Sequence, residues 1–268
     1  GLDRGVPAAV QRAGGRSLVM VHDVIPLDHS AFTRPEPRVR FEGALRAVSA
    51  HADRVIHISH TTRRRAERWF ERFGRVPDGV VIPPGVPELG PRMPAADGGF
   101  CVIGTIEARK NVGFLLDLWE AMGAETPRLH IIGRRGWGVD DLIRRLDALP
   151  RSGPVIEHGP LPDAEAQRLL RRSAGLLFPS HAEGYGLPVA EALQIGVPVI
   201  CNDIEELRES FGGHALFHSV ADPEGWISEI RQINSKLSEL NAASVRETGT
   251  FLPQRWDNHF VMVNDLLT

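Results

Sequence analysis

The sequence predicts a doubly wound α/β fold in which one partial domain and one complete domain follow each other along the chain. Short runs rich in Val and Ile alternate with amphipathic stretches, which is typical of parallel sheets covered by helices. The length of 268 residues is too short for two complete domains of this kind. A stretch dense in Pro and Gly also separates the chain into two blocks of unequal size.

The first block, residues 1–87, is predicted to form a partial Rossmann-like domain. Its strands are expected at 17–22, 54–59 and 79–85, and its helices at 38–50 and 61–74. The three strands are about half the number in a complete doubly wound domain, so we expect a truncated N-terminal domain. Residues 88–99 are expected to be the linker to the second block.

The second block, residues 100–250, is predicted to be a complete Rossmann-like domain with alternating strands and helices. Its strands are expected near 100–104, 128–132, 154–158, 175–178, 198–201 and 214–217. The last helices are expected around 222–240 and 254–267. We expect the C-terminal helix, within residues 251–268, to pack back on the first block.

Composition and charge exclude several classes of protein. The 31 basic residues against 34 acidic residues give a net charge of −3, which argues against a dedicated nucleic-acid-binding protein. No apolar run approaches the ~18 residues that a membrane-spanning helix needs, and the N-terminal residues lack the layout of a signal peptide. We therefore expect a cytoplasmic protein in which Cys101 and Cys201, both in apolar strand-like runs, are buried free thiols.

The most informative stretch is residues 175–201, GLLFPSHAEGYGLPVAEALQIGVPVIC. An apolar strand is followed by a loop of small residues, and a helix is predicted to begin at Leu187, with Pro188 suited to its first turn. Glycines on both sides of Tyr185 allow backbone N–H groups to point at a ligand, and the N-terminus of the helix adds positive partial charge. This arrangement predicts a phosphate-binding loop.

Glu191 is the only ionisable residue between Leu187 and Cys201. A carboxylate in so apolar a segment needs a polar partner, and the diol of a ribose is one candidate. The alternative is that Glu191 points to solvent or interacts with the helix dipole.

A second cluster, GTIEARKN at residues 104–111, lies between a predicted strand and an apolar helix. Arg109 and Lys110 are therefore placed where open α/β sheets bind ligands, and two adjacent cations there suit a diphosphate. The alternative is that both are solvated surface charges.

Two features of the first block have both a functional and a structural interpretation. His22 and Asp23 follow a predicted strand, where a histidine can face a ligand, although a lone histidine is more often a structural hydrogen-bonding group. The helix at 61–75 carries several arginines and an aromatic side. We expect its aromatic side to pack on the sheet with the arginines in water, and a membrane-surface role is the alternative.

Taken together, EGYGLPVAE, GTIEARKN, GVPVICNDIEELRE, HDVIPL and VVIPPGV resemble family 4 of the glycosyltransferases, the retaining GT-B enzymes. The resemblance is strongest to the mannosyltransferase-like members that assemble O-antigen and exopolysaccharide. It implies a GT-B-like fold with a partial acceptor-side N-terminal domain and a complete nucleotide-sugar-binding domain.

The activity implied by the resemblance is the transfer of a hexose, with mannose as the favoured sugar, from a nucleoside-diphosphate sugar to an acceptor hydroxyl. The donor would be GDP- or UDP-linked, and the acceptor would be a glycan or a lipid-linked glycan. The reaction would be retaining and would need neither a metal nor a separate cofactor. Nucleic acid is not an expected partner, and membrane contact would be peripheral, on the cytoplasmic face.

The resemblance also assigns roles to residues near the reaction centre. Glu183 would lie beside the donor sugar, Arg109 and Lys110 would bind the diphosphate, and His22 would face the sugar near the acceptor. The backbone around four consecutive residues would hold sugar hydroxyls and phosphates: Gly184, Tyr185, Gly186 and Leu187.

The remaining assignments concern the nucleoside. Glu191 would bind the ribose hydroxyls, and the base would lie against the backbone of Gly159–Leu161. The same pocket would be lined by Gly133, Arg134, Gly104 and Thr105. Many relatives have an Arg where this chain has Thr105, so Arg109 would have to supply that charge.

Three alternatives follow from the same residues. The first is a nucleotide-sugar-binding subunit, or a fragment that is inactive without a missing N-terminal half. The second is a nucleotide-sugar epimerase, which shares the architecture without the arrangement of Glu183 and Glu191. The third, an NAD-type Rossmann enzyme, is disfavoured because no GxGxxG follows the strands at 17–22 or 100–104.

Overall fold

Two parallel sheets organise the protein, and a computed structural model describes residues 5–94, 99–123, 126–236 and 251–267. The chain divides into two compact units. The first unit contains the described residues up to Gly85, together with Ala182–Tyr185 and those from Gln254 onward. The second unit contains Val86–His181 and the described residues of Gly186–Pro253.

The first unit alternates helices and short strands along its N-terminal part. In chain order its elements are α1 (Val6–Arg12), β1 (Leu18–Val21), α2 (Ile25–Asp28), a 3₁₀ turn (Ser30–Phe32), α3 (Pro35–His51), β2 (Arg54–His57), α4 (His60–Phe73) and β3 (Asp78–Val81).

The sheet of the first unit has the strand order β1-β2-β3, and both pairs are parallel. Its core includes Val21 of β1, Leu45 of α3, Val55 of β2 and Phe70 of α4, which pack into one cluster. The aromatic residues of α4 therefore face the core, as the structural interpretation of that helix predicts.

Helix α4 has a clear signal at each end. Ser59 precedes it, and the Ser59 hydroxyl accepts a hydrogen bond from the Thr62 N–H at 3.0 Å. Gly74 follows it in the left-handed conformation, with φ of 96°. The C-terminal helix α11 (Trp256–Asn264) belongs to the same unit, where the buried His259 hydrogen-bonds through Nδ1 to the Pro83 carbonyl oxygen at 2.8 Å.

The second unit contains the larger set of strands and helices. In chain order its elements are β4 (Phe100–Ile103), a 3₁₀ turn (Ala108–Lys110), α5 (Val112–Met122), β5 (Leu129–Ile132), α6 (Asp140–Asp147), β6 (Val155–Gly159), α7 (Asp163–Arg171), β7 (Gly175–Phe178), α8 (Leu187–Gln194), β8 (Val199–Asn202), α9 (Glu205–Phe211), β9 (Leu216–His218) and α10 (Pro223–Lys236).

The sheet of the second unit is 6-stranded, with the order β6-β5-β4-β7-β8-β9 and only parallel pairs. One large cluster joins strand residues such as Phe100 and Leu129 to Leu115 of α5 and Trp226 of α10. This is the strand order of a complete doubly wound domain, as the sequence predicts.

The two cysteines lie in β4 and β8 and are both buried free thiols, which confirms that prediction. Burial in an apolar strand raises the pKa of the Cys101 thiol to about 12, because the thiolate would be poorly solvated there. Cys101 is therefore protonated and unreactive at neutral pH.

Every strand predicted from the sequence is present, with its ends within four residues of the expected ones. The first helix, α1, and the short helix α2 were not predicted, and residues 237–240 of the predicted helix 222–240 lie outside the described residues. No helix among the described residues is long and apolar enough to cross a membrane.

Within the second unit, the segment before β4 is hydrogen-bonded to Arg171 at the end of α7. The Met93 N–H donates to the Arg171 carbonyl oxygen at 2.8 Å, and Arg171 Nε donates to the Pro91 carbonyl oxygen at 2.8 Å. Residues 95–98, within the expected linker 88–99, lie outside the described residues.

Candidate functional site

The strand order of the second sheet reverses between β4 and β7. β4 pairs with β5 on one side and with β7 on the other, so the chain leaves these two neighbouring strands in opposite directions. Open α/β sheets bind ligands at such a reversal, outside the carboxyl ends of the strands. The segments that leave β4 and β7 here are residues 104–111 and 179–186, the same two segments that the sequence singles out.

Lys110 lies across this reversal. Its Nζ is 4.6 Å from the centre of the Phe178 ring, the last residue of β7. Its Cε passes so close to Gly104, which follows β4, that a Cβ on Gly104 would be 3.3 Å away. The ammonium group is thus held at the ends of both central strands by a cation–π contact and by the lack of a side chain at Gly104.

Arg109 is bound by a carboxylate of its own turn. Arg109 Nε and Nη2 donate to Glu107 Oε1 at 3.1 and 2.7 Å, and about one fifth of each side chain is exposed. The carbonyl oxygen of Arg109 accepts a hydrogen bond from the His181 N–H at 2.9 Å. The loop after β4 is therefore hydrogen-bonded to the loop after β7. Glu107 is missing from the predicted site, although its position two residues before Arg109 was visible in the sequence.

Three predicted site glycines end neighbouring strands and form a continuous line of backbone. Gly104 donates its N–H to the Ile132 carbonyl oxygen and Gly133 donates to the Gly159 carbonyl oxygen, both at 2.9 Å. Gly133 has φ of 152°, and any Cβ there would overlap the Gly104 carbonyl oxygen. We call this line Gly104, Gly133 and Gly159 the glycine ledge.

The other residues predicted to line this pocket lie beside the glycine ledge. Arg134 is exposed, and its carbonyl oxygen accepts from the Ile106 N–H at 2.9 Å. Thr105 and Leu161 are half-buried. Because the ledge has no side chains of its own, a flat group of a ligand could lie directly against its backbone.

Helix α8 begins as the sequence predicts. Gly186 precedes it with φ of 96°, and a Cβ there would be 2.9 Å from Leu207 Cδ2. Leu187 opens the helix with 38% of its surface exposed. The Gly186 carbonyl oxygen already accepts a hydrogen bond from the Val189 N–H at 2.9 Å, so the helix is formed from its first turn.

Glu191 is half-buried on the second turn of α8. Burial raises the pKa of its carboxyl group above the ordinary value, and repulsion from Asp163 adds to the increase. Within the described part of the chain, no hydrogen-bond donor pairs with this carboxylate. A half-buried, unpaired carboxylate is suited to a ligand that brings its own donors.

Glu183 and His22 both belong to the first unit. His22 is exposed directly after β1, whereas Glu183 is only 7% exposed. The next residue, Gly184, approaches the His22 carbonyl oxygen so closely that a Cβ would be 2.6 Å from it. The structure thus brings the Glu183 segment and the His22 segment together. Only a glycine fits at position 184, because any side chain there would overlap the His22 carbonyl oxygen. Tyr185 completes the segment, and burial raises the pKa of its phenol.

A buried polar group supports the loop after β7. Asn202 Nδ2 donates to the Ser180 carbonyl oxygen at 3.0 Å, and Asn202 Oδ1 accepts from the Val220 N–H at 3.1 Å. The Ser180 hydroxyl is buried and has no hydrogen-bond partner in the described structure.

Among the described residues, no group of three His, Cys, Asp or Glu side chains is placed to hold a metal ion.

Comparisons with known proteins show the family to which this chain belongs. The family described as Glycosyl transferases group 1 matches residues 98–236. The chain is 27% identical over 275 residues to the serotype-specific mannosyltransferase WbdA of Escherichia coli, covering 91% of this chain and 34% of WbdA. It is 31% identical over 255 residues to the O-antigen chain mannosyltransferase B of Escherichia coli, covering 88% of this chain and 64% of that relative.

Among solved structures, Anabaena HepE in complex with UDP and glucose has a TM-score of 0.73 at 16% identity. The match covers 99% of this chain and 76% of HepE, and it confirms the GT-B-like fold expected from the sequence. The chain spans about a third of the length of WbdA and about two thirds of the length of mannosyltransferase B.

Proposed function

Because this chain belongs to the glycosyl transferases of group 1, we propose that it moves a hexose from a nucleoside-diphosphate sugar to an acceptor hydroxyl. The relatives named as mannosyltransferases support mannose as the sugar and an O-antigen-type glycan as the product. The likeness to a fold that binds UDP and glucose in HepE supports a nucleotide sugar as the donor. We propose GDP-mannose as the donor, on the basis of the family resemblance alone.

The observation that carries the proposal is the position of Lys110 at the strand reversal. Lys110 Nζ lies against Phe178 at the end of β7, and its stem crosses Gly104 at the end of β4. Arg109 directly precedes Lys110, so the loop after β4 carries two cations near the place where a doubly wound sheet receives the phosphates of a nucleotide.

The cations also fit the chemistry of the transfer. The bond from the anomeric carbon to the diphosphate oxygen breaks, and a bond from that carbon to the acceptor oxygen forms on the same face. The acceptor proton passes to the departing phosphate oxygen, so no protein nucleophile is needed. Negative charge grows on the leaving diphosphate, and Arg109 and Lys110 stabilise it without a metal ion.

The second unit supplies the remaining donor contacts in this proposal. The ribose hydroxyls donate to the Glu191 carboxylate, which lacks a donor of its own within the described residues. The base lies along the glycine ledge and the backbone of Gly159–Leu161. The N–H groups at the start of α8 bind phosphate or sugar oxygens.

The first unit contains Glu183 and His22. As the resemblance assigns them, Glu183 would lie beside the donor sugar and His22 would face the sugar near the acceptor. The close approach of Gly184 to the His22 carbonyl oxygen supports a common role, because it fixes the two segments against each other.

The basic surface of the first unit supports a peripheral contact with an anionic membrane. Residues 34–75 contain 11 arginines and 5 acidic residues, a net charge of +6, whereas the rest of the chain carries −9. Arg64, Arg68 and Arg72 of α4 are exposed. We expect the protein to sediment with vesicles that contain anionic lipid but not with neutral vesicles, and the loss of all three arginines should weaken that binding severalfold.

The proposal is tested by sugar transfer from GDP-mannose and UDP-glucose to a lipid-linked or free glycan acceptor. Lys110→Ala should lower kcat by about a hundredfold, because one charge at the leaving group is removed. Lys236→Ala is the matched control, since Lys236 is the only other lysine of the chain and lies at the end of α10. Wild-type turnover in Lys110→Ala would exclude Lys110 from the mechanism.

The main alternative is a chain that binds the nucleotide sugar without transferring it. Such a chain would bind the nucleoside diphosphate and lose that binding in Lys110→Ala, but no acceptor would become glycosylated. Release of free sugar from the donor in the absence of acceptor would place the chain among the catalysts rather than the binding subunits.

A further inference from the structure

Glu107 and Arg109 form an ion pair that is not needed to hold the backbone of the loop in place. One carboxylate oxygen, Glu107 Oε1, accepts from both Nε and Nη2 of Arg109. This contact fixes the plane of the guanidinium, because it engages two donors on the same edge. Glu107 has extended backbone angles, φ −133° and ψ 160°, so its side chain leaves the chain just before the 3₁₀ turn that carries Arg109.

The backbone of this loop is fixed without the side-chain pair. Gly136 donates its N–H to the Ile106 carbonyl oxygen at 2.8 Å, and Lys110 donates to the Glu107 carbonyl oxygen at 2.9 Å. The His181 N–H holds the Arg109 carbonyl oxygen at 2.9 Å. An ion pair two residues apart and partly exposed adds little to this stability. The effect of the Glu107 carboxylate therefore falls on the guanidinium rather than on the loop.

The carboxylate also changes the charge that a phosphate meets. Arg109 and Lys110 together carry two positive charges, and Glu107 removes one of them from the local sum. A diphosphate in its ground state is thus held less tightly than two unopposed cations would hold it. An arginine that is already oriented can still stabilise the charge that develops as the diphosphate leaves.

We propose that Glu107 is a positioning residue for donor turnover: it orients the Arg109 guanidinium and limits the affinity of the loop for the nucleoside diphosphate product. The inference rests on the proposed function, since it takes Arg109 as a diphosphate ligand. It assigns to Glu107 a role in kcat and in product release.

The test compares Glu107→Gln and Glu107→Asp with the wild type. Kd is measured by calorimetry for GDP or UDP, whichever the wild type binds more tightly, and kcat is measured by sugar transfer. Glu107→Gln should bind the diphosphate about fivefold more tightly, because a repulsive charge is lost, and should lower kcat about tenfold. Glu107→Asp keeps the charge on a shorter side chain, so Kd should stay near the wild-type value while kcat remains low.

Glu42→Gln is the matched control. Glu42 Oε1 accepts from Arg46 Nε and Nη2 at 3.2 and 2.8 Å, so the pair has the same geometry on α3 of the first unit. This variant should leave both Kd and kcat unchanged. A merely structural role of Glu107 would lower the thermal stability and weaken Kd in both Glu107 variants.

Unchanged Kd and kcat in Glu107→Gln, with diphosphate binding lost in Lys110→Ala, would overturn the inference and leave the proposed function standing. A wild-type protein that binds neither GDP nor UDP would overturn both.

Discussion

The two parallel sheets differ at their carboxyl edges. In the second sheet, β4, β5 and β6 end at the glycine ledge, and Arg109 and Lys110 stand beside it with part of their surface exposed. In the first sheet, β1 is followed by the exposed His22 and β2 ends in His57, which is 1% exposed. The edge of the second sheet, with its glycines and two cations, can receive an anionic ligand. In the first sheet, by contrast, His57 is buried within its own unit. This difference is the reason why we propose the second unit, rather than the first, as the nucleotide-binding unit.

The largest effect is expected when the glycine ledge is filled. In Gly133→Ala the new Cβ would overlap the Gly104 carbonyl oxygen, and the φ of 152° is strained for any L-residue. We expect a loss of about 3 kcal/mol or more in the free energy of unfolding. Gly138→Ala is the control, because Gly138 has φ of 68° and nothing within 4 Å of its Cβ position. That change should cost only about 1 kcal/mol. Equal losses for the two variants in urea unfolding would show that the ledge is not close-packed.

The buried histidine of the first sheet predicts a dependence of stability on pH. Burial lowers the pKa of His57 to about 4, so as the pH falls below 6.5 the unfolded state takes up a proton before the folded state does. Stability present above pH 6.5 is therefore lost progressively down to pH 4, by about 3 kcal/mol.

The variant His57→Phe should remove this acid loss, because a phenyl ring cannot be protonated. His60→Phe is its matched control, since His60 is exposed at the start of α4. Urea unfolding at pH 7 and pH 4.5 measures the effect. A wild-type free energy of unfolding that is equal at the two pH values would contradict the assignment of His57 as a buried neutral group.

Loss of Asn202, which hydrogen-bonds to the loop after β7, should lower the free energy of unfolding by an intermediate amount. Asn202→Ala removes one donor and one acceptor and leaves the Ser180 carbonyl and the Val220 N–H without their partner. We expect a loss of about 2 kcal/mol in the free energy of unfolding. Ser180→Ala removes a buried hydroxyl that has no partner, so it should change stability by less than about 0.5 kcal/mol. A reversed order of the two losses would show that the Ser180 hydroxyl is bonded in solution.

Substitution of Glu191 is expected to have two effects of opposite sign. Because burial raises the pKa of its carboxyl group, ionisation of Glu191 costs stability at neutral pH in the absence of ligand. Glu191→Gln should therefore stabilise the ligand-free protein slightly. The same change should weaken nucleoside diphosphate binding about tenfold, since the ribose hydroxyls lose a charged acceptor. A variant with lower stability and unchanged affinity would make Glu191 a structural residue.

Much of the fold is predictable from the sequence because parallel strands are short, apolar and separated by amphipathic helices. The run FCVIG predicts β4, and GLLF predicts β7, since both are buried on the two faces of the sheet. The helix α1 is missed because its seven residues, VPAAVQR, show no clear amphipathic period.

The candidate site is predictable only in part. Arg109, Lys110 and the ledge glycines follow strands, so the carboxyl-edge rule places them together. Glu107 is missed because the sequence does not show which of the nearby acidic residues the Arg109 guanidinium meets. The burial of His57 is missed for a similar reason, since the packing of Phe70 against its ring depends on tertiary structure.

We propose that the second unit holds a nucleoside diphosphate at Lys110. The most direct test is the shift in thermal unfolding of the wild type and of Lys110→Ala with GDP, UDP and ADP. A ligand at 100 times its Kd should add about 2.7 kcal/mol of stability. We predict a selective shift of the wild type with GDP or UDP that is absent in Lys110→Ala and retained in Lys236→Ala. Cooperative unfolding of the wild type with no shift from any of the three nucleotides would contradict the claim.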